Sequence, residues 1–115
     1  MKVYTDLKGK ILFNALAAGH DLSGSTPILL VNEPMYIAGG ANKEVRYNDV
    51  YPRWAFDQYR EVMSADAQKA RWNYLDLWDS IPPQYFPHTT LHPSEEGEHL
   101  LIELINPAMQ AISCH

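Results

Sequence analysis

The aliphatic run Ile28-Leu29-Leu30-Val31 contains no polar residue, and it constrains the fold more than any other stretch of the chain. A strand with one wet face alternates apolar with polar side chains. An unbroken run between Pro27 and Asn32 is instead the pattern of a strand covered on both faces, as in a parallel sheet. Tyr74 to Trp78 reads as a second strand, with Leu75 and Leu77 aliphatic. Parallel strands need a crossover, and residues from about Val50 to Ala70 supply one with helical periodicity: Trp54, Ala55, Tyr59, Val62, Met63 and Ala67 line one side. Pro52 is tolerated in its first turn, and Asn48 or Asp49 caps it.

Two further helices flank this unit. Leu7, Ile11, Leu12, Ala15, Leu16 and Ala18 recur at helical spacing after Asp6, a cap, and Gly19 supplies a stop. The last helix starts near Ser94, with Glu95 and Glu96 in its first turn, where carboxylates favour the positive end of the helix dipole. Its apolar stripe is 97, 100, 101, 104, 105 and 108, while Glu95, Glu96, Glu98, His99 and Glu103 point away; Pro107 is expected to end or kink it. The order is helix, strand, helix, strand, helix, which predicts an α/β fold with two parallel strands and a right-handed crossover.

Such a sheet leaves both edges unpaired, and a lone strand pair is marginal in water. Val3-Tyr4 adds at most a short third strand. The expectation is therefore a single incomplete α/β domain over residues 1–115, which either self-associates as a homo-oligomer or pairs with a missing N-terminal half.

With 115 residues the chain has room for one domain. A net charge of −5 without any Lys/Arg cluster gives no electrostatic footprint for nucleic acid. No run approaches a membrane span, and the start Met1-Lys2-Val3 lacks the apolar core of a signal peptide, so a soluble chain of unassigned compartment is expected. Cys114 is alone, which excludes an internal disulfide and thiolate metal clusters.

In open α/β sheets ligands gather outside the carboxyl ends of the strands. Asn32 and Glu33 follow the first strand, Asp79 follows the second, and His88 and His92 lie on the loop behind it, so these five are expected to converge on one rim. A histidine suits general-base work because its ordinary pKa of ~6.5 lies near operating pH. His92 reads either as such a base or as a helix-entry residue with a ring nitrogen bonded to backbone. Arg46 and Asn48 either contact a substrate carboxylate or sugar hydroxyl, or cap the following helix. Ser23, Ser25 and Gly40-Ala41-Asn42 read as turn chemistry, and Ser80, Ser94 and Ser113 as turn, cap and tail residues. His88, His92 and His99 do not share a face, so no metal or other cofactor is expected.

One block carries a family resemblance. His92-Pro93-Ser94-Glu95-Glu96-Gly97, followed by Leu100-Leu101 on a helix, resembles the last motif of the SGNH (GDSL-like) hydrolases and their acyltransferase relatives. The strand Ile28–Met35, the segment Arg46–Trp54 and the strand Tyr74–Trp78 are similar to the C-terminal half of such enzymes, so the resemblance covers most of residues 28 to 108. It implies part of a three-layer, flavodoxin-like fold, with His92 as catalytic base. The family's aspartate, three residues before the histidine, is Thr89 here. Thr89, Asp79 or a backbone carbonyl would have to orient the ring in its place. The family's serine and oxyanion blocks lie upstream of anything in this sequence. The resemblance thus implies the C-terminal segment of an enzyme acting on an ester or an acylated carbohydrate or lipid, inactive alone. The alternative is a non-catalytic α/β interaction module with an open sheet edge.

Overall fold

A computed structural model describes residues 13–113. Its elements are α1 (Phe13–Leu22), β1 (Leu29–Asn32), α2 (Arg53–Ala70), β2 (Asn73–Asp76), a 3-10 turn (Pro83–Tyr85) and α3 (Glu95–Ser113). The protein is mixed α/β, with three helices and a two-stranded parallel sheet among the described residues. Leu29 pairs with Asn73, Leu30 with Tyr74, Val31 with Leu75 and Asn32 with Asp76. Each strand sits within two residues of its expected position; the expected start of the first helix at Asp6 and the Val3-Tyr4 strand lie outside the described residues. No helix among the described residues is long and apolar enough to cross a membrane.

The core forms on the α2 side of the sheet. Met35, Tyr47 and Phe56 are buried together, with Ile37, Tyr51, Tyr59 and Trp78 packed against them. Aromatic rings tile this region, with Tyr47 4.9 Å and Phe56 5.8 Å from Trp78, centroid to centroid, within the range of favourable edge and tilted pairs. The buried stripe of α2 is Phe56, Met63 and Ala67, with Tyr59 half-buried. Trp54, expected on that stripe, is 43% exposed instead. The helix begins at Arg53 rather than near Val50, because Pro52 occupies the N-cap position and the preceding loop is held by Asn48.

Two expected helix boundaries are corrected. Gly19 does not stop α1: the helix runs through it to Leu22. It ends where the Ser23 hydroxyl donates to the His20 carbonyl at 2.6 Å and Gly24 takes a left-handed φ of +60°, so the glycine that terminates it lies further along. Pro107 does not end α3, which continues to Ser113. A proline inside a helix deletes one backbone bond locally, and the apolar pattern resumes beyond it at Ala108 and Ile112, both half-buried.

The α3 stripe is also less buried than its pattern implies. Leu100, Leu101, Ile105 and Ala108 are half-buried, but Leu104 is 40% exposed. Strands lie ~4.8 Å apart, whereas a helix with side chains is ~10 Å across, so two strands shared between α2 and α3 cannot cover a full helix face. At the other end of α3, Gly97 is buried so tightly that a Cβ there would stand 2.7 Å from the Pro93 Cβ and 3.0 Å from the Tyr85 Cβ. A glycine is required by this close approach.

Candidate functional site

The strands end side by side, and the loops beyond them are stitched together by backbone bonds. Leu77 N–H donates to the Asn32 carbonyl at 3.0 Å, Met35 N–H to Trp78 at 3.1 Å, and Tyr36 N–H to Thr90 at 2.9 Å. The Thr90 hydroxyl also donates to Asp49 at 2.6 Å. The loop after β2 is thus pinned against the loop after β1, two residues before His92.

His92 precedes α3 by a short link that is itself fixed. Ser94 N–H donates to the Tyr85 carbonyl at 2.6 Å, and Gly97 N–H donates to the Ser94 hydroxyl at 3.3 Å, a side-chain cap. Glu96 in this first turn has its carboxyl held below the ordinary carboxylate range by a bond to its own backbone N–H, then by the Ser94 hydroxyl.

Between the two loops and α2 lies a cleft of about 570 Å³, within the range of ~300–1,000 Å³ that ligand sites occupy. Its wall is apolar: Val31, Pro34, Met35, Ala55, Phe56 and Leu91. Tyr51 and Tyr59 add aromatic surface, and burial, followed by the neighbouring Tyr51 and Asp76, pushes the Tyr59 phenol above its ordinary pKa. The polar lining consists of Asn32, Glu33 and His92. Three of the five residues expected on the rim therefore meet in one cavity. Glu33 and His92 are exposed, whereas Asn32 is only 8% exposed.

The other expected members do not join them. His88 and Asp79 are exposed and line no part of the cleft. Asp79 lies in the turn directly after β2, and His88 precedes the portion of its loop that is pinned at Thr90. Thr89 is tied to His92 in another way than expected: its hydroxyl oxygen accepts the His92 backbone N–H at 2.9 Å, which shapes the turn and leaves the ring alone. Among the described residues no side chain hydrogen-bonds the His92 ring.

Arg46 and Asn48 line a separate, smaller cavity of about 210 Å³ with Asn42, Lys43 and Asp49. Arg46 is exposed and bridges to Pro52. Asn48 is 2% exposed; its amide donates to the Tyr36 carbonyl at 2.7 Å and its oxygen accepts Val50 and Tyr51 N–H, both at 2.9 Å. Its side chain organises the loop that presents Tyr51 to the cleft. Ser23 and Ser80 donate to carbonyls three residues back, as turn residues do. Among the described residues no group of three or more His, Cys, Asp or Glu side chains is placed to hold a metal ion.

Sequence reasoning missed the groups behind Asn32. Asp76, its register partner on β2, accepts from the Asn32 amide at 2.9 Å and from Arg60 Nε at 2.9 Å, and the Arg60 guanidinium lies 4.3 Å from the Trp78 ring centroid. A carboxylate anchored by arginine thus fixes which way the Asn32 amide faces. The available signal was a charged residue inside an otherwise aliphatic strand, Tyr74-Leu75-Asp76-Leu77, which has to find a partner when half-buried.

Compared with models of protein families, with curated proteins and with solved structures, the chain matches none.

Proposed function

We propose that this chain is the base-bearing C-terminal segment of an SGNH-like ester hydrolase or acyltransferase, with the three-layer flavodoxin-like arrangement of that family completed by elements outside the described residues. His92 accepts the proton of an attacking hydroxyl supplied from elsewhere, and an acyl chain lies along the apolar wall. The observation that carries the reading is that an exposed imidazole shares one ligand-sized cleft with Asn32 and Glu33 at the carboxyl end of β1. That is where the physics of α/β sheets concentrates ligand chemistry. Ring orientation by Thr89 is set aside, because the Thr89 hydroxyl is engaged with backbone; a backbone carbonyl or a group from the missing part takes that role. With no serine, threonine or cysteine among the described residues that line the cleft, the chain alone is expected not to hydrolyse esters.

Titration with methyl butyrate, followed by NMR, tests this. The His92 ring and the Asn32 side-chain amide shift together and no butyrate is released. Release that disappears in His92→Ala would show a nucleophile within the chain, and an unmoved His92 ring would remove the acyl-transfer reading.

One observation favours a second reading, a non-catalytic interaction module: the sheet has only two strands among the described residues, and both offer an outer edge. Sedimentation separates the two, since self-association through a strand edge gives a concentration-dependent dimer.

A further inference from the structure

No lysine or arginine among the described residues lines the cleft, and its acidic member, Glu33, is exposed at the end of β1. The nearby arginines are already engaged. Arg60 is paired with Asp76 at 2.9 Å beneath Trp78, and Arg53 lies 3.8 Å from Glu44, donates to the Lys43 carbonyl at 2.9 Å and covers the Tyr47 ring. Arg46 belongs to the other cavity. An anionic headgroup entering beside Glu33 would meet a like charge with no lysine or arginine among the described lining residues to offset it, which disfavours it relative to an uncharged group.

Hydroxyl groups suit the same rim. The Asp76 bond takes one amide hydrogen of Asn32, so the amide oxygen and the second hydrogen are what Asn32 offers the cleft it lines. Glu33 adds an acceptor beside it. A hydroxyl can donate to one and accept from the other, whereas a phosphate or carboxylate only accepts. The apolar wall formed by Met35, Phe56, Tyr59 and Leu91 accommodates a hydrocarbon chain.

We propose that the cleft takes an uncharged ester, an apolar acyl chain joined to a hydroxyl-bearing alcohol, and rejects esters whose alcohol part carries phosphate or carboxylate. This rests on the acyl-transfer reading for the identity of the bond, but the ligand preference can be measured without any reaction.

The test uses two amphiphiles with the same tail, octyl glucoside and octyl phosphate, titrated below their micellar concentrations at low ionic strength into the full chain and followed by NMR and calorimetry. Octyl glucoside shifts Asn32, Met35 and Tyr59, and octyl phosphate binds about tenfold or more weakly because its charge is uncompensated. Glu33→Gln, an exposed change that leaves the core intact, narrows that gap by raising octyl phosphate affinity. Asn32→Ala weakens octyl glucoside by about tenfold, the scale of one lost hydrogen bond in a partly buried site. Octyl phosphate binding as tightly as the glucoside, no effect of Glu33→Gln on the gap, or no binding of octyl glucoside overturns the proposal. If octyl glucoside moves the wall and Asn32 while the His92 ring stays still in both this and the methyl butyrate titration, the ligand preference stands and the acyl-transfer reading falls. If methyl butyrate moves His92 while octyl glucoside binds nowhere, the reverse holds.

Discussion

Met35, at the carboxyl end of β1, is 2% exposed and Phe56 on α2 is 6% exposed, whereas Ile102 and Met109 on α3 are 53% and 50% exposed. The first region packs large side chains from two loops and a helix into one aromatic cluster. In the second, Ile102 and Met109 lie off the apolar stripe of α3, and even Leu104 on that stripe is 40% exposed because too little sheet lies beneath it. Cohesion is therefore concentrated beside the cleft, and substitutions of equal chemistry should have unequal effects in the two places.

The largest difference is expected for truncation. Phe56→Ala removes a ring that touches Tyr47, Tyr51, Tyr59 and Trp78, and should cost about 3–5 kcal/mol in denaturant unfolding. Ile102→Ala, half exposed, should cost less than about 1 kcal/mol. Equal losses would mean that α3 is covered in solution and would break the contrast.

Gly97→Ala probes where α3 is packed well. The added methyl meets Pro93 and Tyr85, so about 1–3 kcal/mol of overpacking outweighs the ~1 kcal/mol that alanine gains over glycine in a helix. An unchanged or raised unfolding midpoint would show that the start of the helix can move away from the 3-10 turn.

Asp76→Asn tests the support behind the cleft. It leaves Arg60 without its ion-pair partner and should cost about 1–2 kcal/mol, less than a fully buried pair because both side chains are partly exposed. The Asn32 side-chain amide resonance should move with it.

The smallest effect is expected at Tyr74. Its hydroxyl is buried without a hydrogen-bond partner, and burial, then Asp76, pushes its pKa from 10.0 up to about 12. The folded state holds this proton more tightly than the unfolded chain, so its contribution is complete below pH 10 and is lost as pH rises through about 12. Tyr74→Phe should be neutral or stabilising by up to about 1 kcal/mol at neutral pH, and should flatten the alkaline fall in stability. A clear destabilisation would reveal a partner for the hydroxyl.

The same contrast explains what was legible in the sequence. The order of helices and strands could be read because Ile28–Val31, the α2 period and the Leu100-Leu101 stripe are local patterns. Asn32, Glu33 and His92 could be placed together because strand ends define a rim in any parallel sheet. Phe56 was missed because Trp54 and Ala55 start an equally apolar stripe one step around the helix, and tertiary packing with Trp78 decided between them. The Asp76 network was missed because Arg60 lies a helix away, and no local rule pairs the two. Gly19 was misread as a helix stop because a glycine can end a helix only where the backbone turns left-handed, and that turn falls at Gly24.

His92 lines a cleft of ligand size, while His88 and His99, also exposed, line no part of it. Carbethoxylation by diethyl pyrocarbonate, read site by site by mass spectrometry with and without saturating methyl butyrate, compares the three within one sample. The ester should protect His92 several-fold and leave His88 and His99 reacting at unchanged rates. Equal modification of all three, with the ester present or absent, would contradict it.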